Sequence, residues 1–189
     1  MSDLLAFSDV ACWRGGRLLF EGVSFALGAG DGLWVQGPNG TGKSSLLRVA
    51  AGLLKPLAGT VARAPCALAD EALALDRELT LERALRLWAT LDGSDRVEQA
   101  LDDLALRPLA QVPVRLLSTG QARRARLARL LASGAPLWLL DEPLNGLDGA
   151  SLELVAAMVA RHLRAGGAAL IASHLAIPGS EWRSLELAA

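Results

Sequence analysis

The chain of 189 residues is 52% hydrophobic and 21% charged, with a formal net charge of −1. That is enough for one domain with a real core, and it excludes a disordered chain. The near-neutral balance gives no field that would gather nucleic acid or anionic lipid.

Cys12 and Cys66 form no metal-type cluster and are expected to be buried, reduced thiols. Residues 1–5 lack the basic start of a secretory signal, and no apolar run reaches about 18 residues. Direct membrane insertion is therefore not expected, and any membrane association should run through a partner.

In chain order, residues 4–10 and 18–27 read as strands joined by a turn at Arg14-Gly15-Gly16-Arg17. After a turn at Asp31-Gly32, residues 33–36 form a short apolar strand that runs into a glycine-rich loop. Apolar residues at helical spacing predict a helix over 43–54, stopped by Lys55-Pro56. Residues 60–63 and 66–69 are strand candidates. From Thr80 the spacing is helical, with Leu81, Ala84, Leu85 and Trp88 at three- and four-residue steps. A second helix is predicted over about 95–106, ending at Pro108. Ser118 is placed to cap a helix over 121–132. The arginines at 123, 124, 126 and 129 read as a solvated face of that helix. Residues 137–141 form a buried strand, 151–163 a helix closed by Gly166-Gly167, and 168–173 a second buried strand ending at His174. The order describes a parallel α/β core with a helical insertion.

Three motifs carry chemistry. Gly37-Pro38-Asn39-Gly40-Thr41-Gly42-Lys43-Ser44 fits G-x-x-x-x-G-K-[ST]. Its glycines let backbone N–H groups converge on phosphates, and the following helix adds its positive end. Lys43 would reach the β- and γ-phosphates, and the Ser44 hydroxyl would bind Mg²⁺. Only Lys43 and Lys55 among the 19 basic residues are lysines; a compact ammonium suits a phosphate loop better than a planar guanidinium. Asp141 and Glu142 end an apolar strand. Asp141 would hold Mg²⁺ through water, and Glu142 would act as general base on the attacking water. Between them in sequence, Leu117-Ser118-Thr119-Gly120-Gln121 opens a helix. It is expected to lie too far away to serve the same nucleotide and to complete the site of a second copy. His174, after a strand end, would contact the γ-phosphate and orient the water. Asn145-Gly146-Leu147-Asp148 reads either as a plain turn or as a link between two such sites.

Together these elements resemble the nucleotide-binding domain of ABC transporters over essentially the whole chain. More narrowly, residues 19–25 and 33–40, Val112-Pro113-Val114 and Gln121-Ala122-Arg123-Arg124 resemble the ATP-binding subunits of cytochrome c maturation systems. The short segment after His174 fits as well. The resemblance implies a P-loop NTPase fold of the ABC type: a mainly parallel sheet core, an N-terminal antiparallel β segment and a helical insertion. It implies one domain over 1–189, with the α/β core in 1–68 and 135–189 and a helical subdomain in 69–134. It implies ATP and Mg²⁺ as ligands, and a homodimer closing head to tail on two ATP molecules. In that dimer Ser118, Gly120 and Gln121 would face the ATP held by the partner. It further implies integral membrane permease partners at the cytoplasmic face of a bacterial inner membrane, with energy linked to moving or releasing haem. An exporter of another substrate is the alternative.

The sequence departs from the family pattern twice. The glutamine usual after the strand at 66–69 is missing, and either Asp70 or Ala72 takes its place; Asp70 could bind Mg²⁺, Ala72 could not. At the adenine position the chain offers Trp13 or Arg14. Counting back from Val23-Ser24 favours Arg14, which could stack on the base by cation–π contact, with Trp13 packed in the core. In the phosphate loop Gly37 to Ser45 are expected to line the nucleotide. Leu73, Leu75 and Trp88 are candidates for a docking groove, with a core role equally open for Trp88.

Overall fold

The computed structural model describes residues 3–70, 74–175, 177–178 and 182–187. Strands β1 (Leu5–Arg14) and β2 (Arg17–Leu27) form a hairpin, and β4 (Ala58–Arg63) pairs with the other edge of β1. Gly15 and Gly16 both have positive φ, which a two-residue hairpin turn matched to strand twist requires. This antiparallel sheet stands beside a five-stranded parallel sheet. The order there is β5 (Cys66–Ala69), β6 (Leu137–Asp141), β7 (Ala168–Ala172), β3 (Gly32–Gln36) and β8 (Arg183–Glu186). Strands β6 and β7 are buried at every position, so both read as unbroken apolar runs.

Helix α1 (Lys43–Ala50) follows β3 and packs between the sheets, with Leu46 and Leu47 fully buried among residues of both. A second cluster joins β5 and β6 to α2 (Leu81–Leu91), α3 (Val97–Asp103), α4 (Thr119–Ala132) and α5 (Gly149–Arg164). No helix among the described residues is long and apolar enough to cross a membrane.

The structure corrects several expectations. Helix α1 stops at Ala50 rather than at 54. Gly52, at φ 73°, takes a left-handed turn; its N–H donates to the Val49 carbonyl at 3.0 Å and that of Leu53 to the Arg48 carbonyl at 2.8 Å. That pair of bonds caps a helix C-terminus and leaves Leu53 exposed despite its apolar spacing. Helix α3 covers only part of 95–106, because Ala105 turns left-handed and residues 107–109 form a 3₁₀ turn. Strand β8 has no counterpart among the elements expected from the sequence. Trp13 is 54% exposed instead of packing in the core, whereas Leu75 is buried and so unsuited to a docking groove. Leu73 and Ala72 lie outside the described residues. Cys12 is buried and Cys66 half-buried; both are free thiols, and burial raises the pKa of each.

The arginines of α4 do not form a solvated face. All four are half-buried. Arg123 donates to the Gly146 carbonyl at 2.5 Å, and Arg124 to the Leu104 carbonyl at 3.0 Å, closing the end of α3. The Arg129 guanidinium lies 4.1 Å from the centre of the Trp88 ring. Trp88 in turn donates its indole N–H to the Ala74 carbonyl at 2.6 Å. Guanidinium groups on long stems reach carbonyls and rings of other elements, although the Nε atoms of Arg124 and Arg129 are buried without a hydrogen-bond partner.

Candidate functional site

The C-terminal edge of the parallel sheet carries the candidate site, as ligand sites in open α/β sheets do. β3 ends at Gln36 and the chain enters the loop 37–42 before turning into α1. Gly37 (φ 142°) and Gly42 (φ 105°) hold conformations that favour glycine. A Cβ at Gly37 would lie 2.5 Å from the carbonyl oxygen of Leu187, so the residue just after β8 packs against the loop. Gly42 caps α1 with no side-chain acceptor, which leaves the first N–H groups of that helix without a side-chain partner. Lys43 is 8% exposed and folds back over the loop, donating to the carbonyls of Gly37 at 2.7 Å and Pro38 at 3.1 Å. Thr41 donates its hydroxyl to the Pro38 carbonyl at 3.0 Å.

The loop opens onto a cleft of about 450 Å³. Asn39, Gly40, Gly42, Lys43, Ser44 and Ser45 line one side. The hairpin supplies Arg14 and Arg17 opposite, and Glu142 closes one end. Three cations face one carboxylate here, a balance that suits a polyanion. Arg14 donates to the Ser45 hydroxyl at 3.3 Å, while Trp13 is absent from the cleft wall. Arg17 went unnoticed in the sequence. It donates to the Gly40 carbonyl at 2.7 Å and so ties the hairpin to the phosphate loop. Its only sequence signal was its place beside the turn at Gly15-Gly16.

Asp141, at the end of β6, is 7% exposed. Burial raises its pKa; the Ser44 hydroxyl, hydrogen-bonded to it, lowers it, Glu142 raises it, and Arg48 and Asp70 act in opposite directions. Glu142 adopts φ 47°, a left-handed conformation uncommon outside glycine, and its N–H donates to the Ala172 carbonyl at 2.8 Å. Such strain persists only where the surroundings enforce it. Glu142 lines the cleft just beyond the end of β6. Glu142 Oε2 is buried without a hydrogen-bond partner. His174, beyond the end of β7, places Nε2 3.7 Å from Glu142 Oε1 and 3.1 Å from Asn39 Oδ1. Asp70 follows β5, and its Oδ2 lies 4.0 Å from a guanidinium nitrogen of Arg48.

The segment 117–121 does not line this cleft. Ser118 caps α4: its hydroxyl accepts from the Gln121 N–H at 3.3 Å, while the Gln121 side chain accepts from the Ser118 N–H at 2.8 Å. This capping box fixes the helix start. A Cβ built at Gly120 would meet nothing within 4 Å, so the helix end faces open space. Asp148 caps α5 by accepting from the Ser151 N–H at 2.8 Å, and Arg123 anchors Gly146. The turn 145–148 is thereby tied to α4.

A phosphate loop backed by a buried strand-end Asp-Glu pair, with a separately capped helix beginning Ser-Thr-Gly-Gln, defines a P-loop nucleotide-binding domain of the ABC ATPase class. The chain belongs to the ABC transporter family, whose sequence profile matches residues 20–145. Among curated relatives, the "Cytochrome c biogenesis ATP-binding export protein CcmA" of Sphingopyxis alaskensis is 58% identical over 180 residues, 94% of this chain and 93% of its own. The protein of the same name from Zymomonas mobilis is 52% identical, covering 97% of this chain and 84% of its own. A solved ATP-binding subunit of an ABC transporter superposes with a TM-score of 0.84 at 25% identity, covering 91% of this chain and 80% of that one.

Proposed function

We propose that the chain is the ATP-hydrolysing, energy-coupling subunit of a bacterial inner-membrane ABC complex that serves c-type cytochrome biogenesis, through export or release of haem. The observation that carries this reading is 58% identity to a cytochrome c biogenesis export ATPase over 94% of the chain. An ABC exporter with another cargo is the alternative, since no residue here reads the cargo.

In this reading the backbone N–H groups of the loop 37–45, Pro38 excepted, and Lys43 hold the triphosphate, and Arg14 stacks on the base. Lys43 exchanges its loop carbonyls for phosphate oxygens. Ser44 and Asp141 are hard oxygen donors placed together, while Asp70, one strand away, faces Arg48 at 4.0 Å. No group of three or more His, Cys, Asp or Glu side chains that could cage a metal occurs among the described residues. So sparse a donor set fits Mg²⁺, which takes one or two protein oxygens and completes its shell with phosphate oxygens and water. When bound, the ion neutralises charge on the β- and γ-phosphates. Glu142, which lines the cleft, accepts the proton of the attacking water. His174 contacts the γ-phosphate and orients that water. Ser118, Gly120 and Gln121 of a second copy close over the nucleotide, presenting a helix N-terminus to it. The homodimer so formed drives permease subunits at the cytoplasmic face of the membrane, where the chain is peripheral.

The test is to tag Glu142→Gln in its native cell, extract membranes with ATP present and identify what co-purifies. Small multi-spanning proteins together with haem-handling partners are expected. Recovery of an unrelated permease would transfer the reading to the alternative cargo, and recovery of no membrane protein would end it.

A further inference from the structure

Ser44 and Arg48 stand four residues apart on α1, so they share one face of the helix. That face crosses the ends of two parallel strands. Ala69 of β5 is paired with Leu140 of β6, and the register carried one residue on sets Asp70 beside Asp141. The result is a two-by-two array. Ser44 meets Asp141, hydrogen-bonded through its hydroxyl, and one turn along Arg48 meets Asp70 at 4.0 Å. The second pair is only partly exposed, with side chains 37% and 29% accessible.

Two carboxylates on adjacent strand ends repel each other, and both repel a triphosphate. We propose that Arg48 is a positioning residue for the metal end of the site: it neutralises Asp70 and holds it aside, leaving Asp141 as the carboxylate that faces Ser44. The inference rests on the reading of Ser44 and Asp141 given above. It assigns a role to a side chain that does not line the nucleotide cleft. It also accounts for how the site tolerates a second carboxylate beside Asp141. The extra negative charge is met by Arg48, on the same helix that begins at the phosphate loop, with Arg129 of α4 attracting it as well.

The test is equilibrium binding of a fluorescent ATP analogue to the full chain, in EDTA and across a Mg²⁺ titration. Arg48→Ala should weaken binding in EDTA by about three- to tenfold, the range expected when one partner of a partly exposed charge pair is lost. Adding Asp70→Asn should restore affinity to within about twofold, because the neutral pair no longer repels phosphate. The charge-reversed variant Arg48→Asp/Asp70→Arg should also recover affinity, which direct metal ligation by Asp70 would not allow. Asp70→Asn alone needs no loss of fold and should tighten binding in EDTA while shifting the Mg²⁺ midpoint upward. Wild-type binding by Arg48→Ala, or a loss that Asp70→Asn leaves uncorrected, would overturn the proposal. Asp141→Asn serves as the reference. If that variant keeps the full Mg²⁺ dependence, the reading of Ser44 and Asp141 fails, whatever Arg48 does.

Discussion

His174 Nε2 stands between Asn39 Oδ1, at 3.1 Å, and Glu142 Oε1, at 3.7 Å. Three segments distant in sequence thus converge on one point: the phosphate loop, the end of β6 and the end of β7. His174 is half exposed while Glu142 is nearly buried, so the imidazole sits at the mouth and the carboxylate behind it. This geometry predicts that His174→Ala lowers kcat by about a hundredfold, the low end for loss of a group aligned for proton transfer. ATP affinity should change by no more than a few fold. Steady-state kinetics beside equilibrium binding separates the two, and an equal loss in both would remove the catalytic role.

Lys43 and Arg17 approach the phosphate loop from opposite sides and should separate by severity. Lys43→Ala removes the cation buried within the loop and should abolish measurable ATP affinity. Arg17→Ala removes a guanidinium that bonds the Gly40 carbonyl at 2.7 Å from the hairpin. It should raise KM for ATP by about tenfold, the cost of a charged hydrogen bond near 1.4 kcal/mol, with kcat preserved. Unaltered KM would show that the Arg17–Gly40 bond does not support nucleotide binding.

Asp141 trades stability for function. Its pKa is raised chiefly by burial, so the ionised form is disfavoured in the folded chain. For a carboxyl shifted upward, the native state binds more protons than the unfolded one. The advantage is present below the unfolded pKa and is lost as pH rises through the folded value, which makes ionised Asp141 a cost at neutral pH. Asp141→Asn should therefore raise the Tm of the nucleotide-free protein by about 2–4 °C. It should also lose the additional Tm increase that Mg²⁺ gives in the presence of ATP. A lower Tm for the variant would contradict this account.

His162, on α5, packs over the start of the strand that ends at Asp141, and its pKa is shifted in the opposite direction. Its ring stacks on Trp138, with centroids 3.7 Å apart. Burial lowers its pKa, opposed by backbone carbonyls at Ala168 and Pro136, with Arg96 lowering it further. A lowered histidine contributes stability that is full above the unfolded pKa, about 6.5, and disappears as pH falls through the folded value. Urea denaturation between neutral and mildly acidic pH should show that loss in the wild type. It should be smaller in His162→Phe, which keeps the stack without the proton. Parallel pH profiles for the two proteins would exclude His162 as the source.

Much of this architecture is written in local patterns. Gly37–Ser44 and Asp141-Glu142 are legible because each motif is contiguous and its neighbours are an apolar strand and a helix. Ser118 reads as a cap because Gln121 follows three residues later. Gly52 was a readable stop: a glycine at the end of an apolar-periodic run marks a helix C-terminus more reliably than Lys55-Pro56 beyond it. Other features depend on distant partners. β8 is a strand because β3 offers it an edge, while only Leu185 and Leu187 mark it in the sequence. Arg123, Arg124 and Arg129 look like a charged helix face until Gly146, Leu104 and Trp88 arrive from other elements. Arg48 shows its meaning only when the β5–β6 register sets Asp70 next to Asp141. Glu142 gives no hint in sequence of its left-handed backbone.

The most direct test of an ATP-driven pair is sedimentation of Glu142→Gln with and without Mg²⁺-ATP. With Glu142 proposed as the base, its loss should hold ATP unhydrolysed, and the capped helix at Ser118 should then close on a second copy. The expected result is a monomer without nucleotide and a dimer with ATP, with the dimer lost when Gly120→Asp is added. A Glu142→Gln protein that binds ATP yet stays monomeric at every concentration, or that turns over at the wild-type rate, would contradict the central claim.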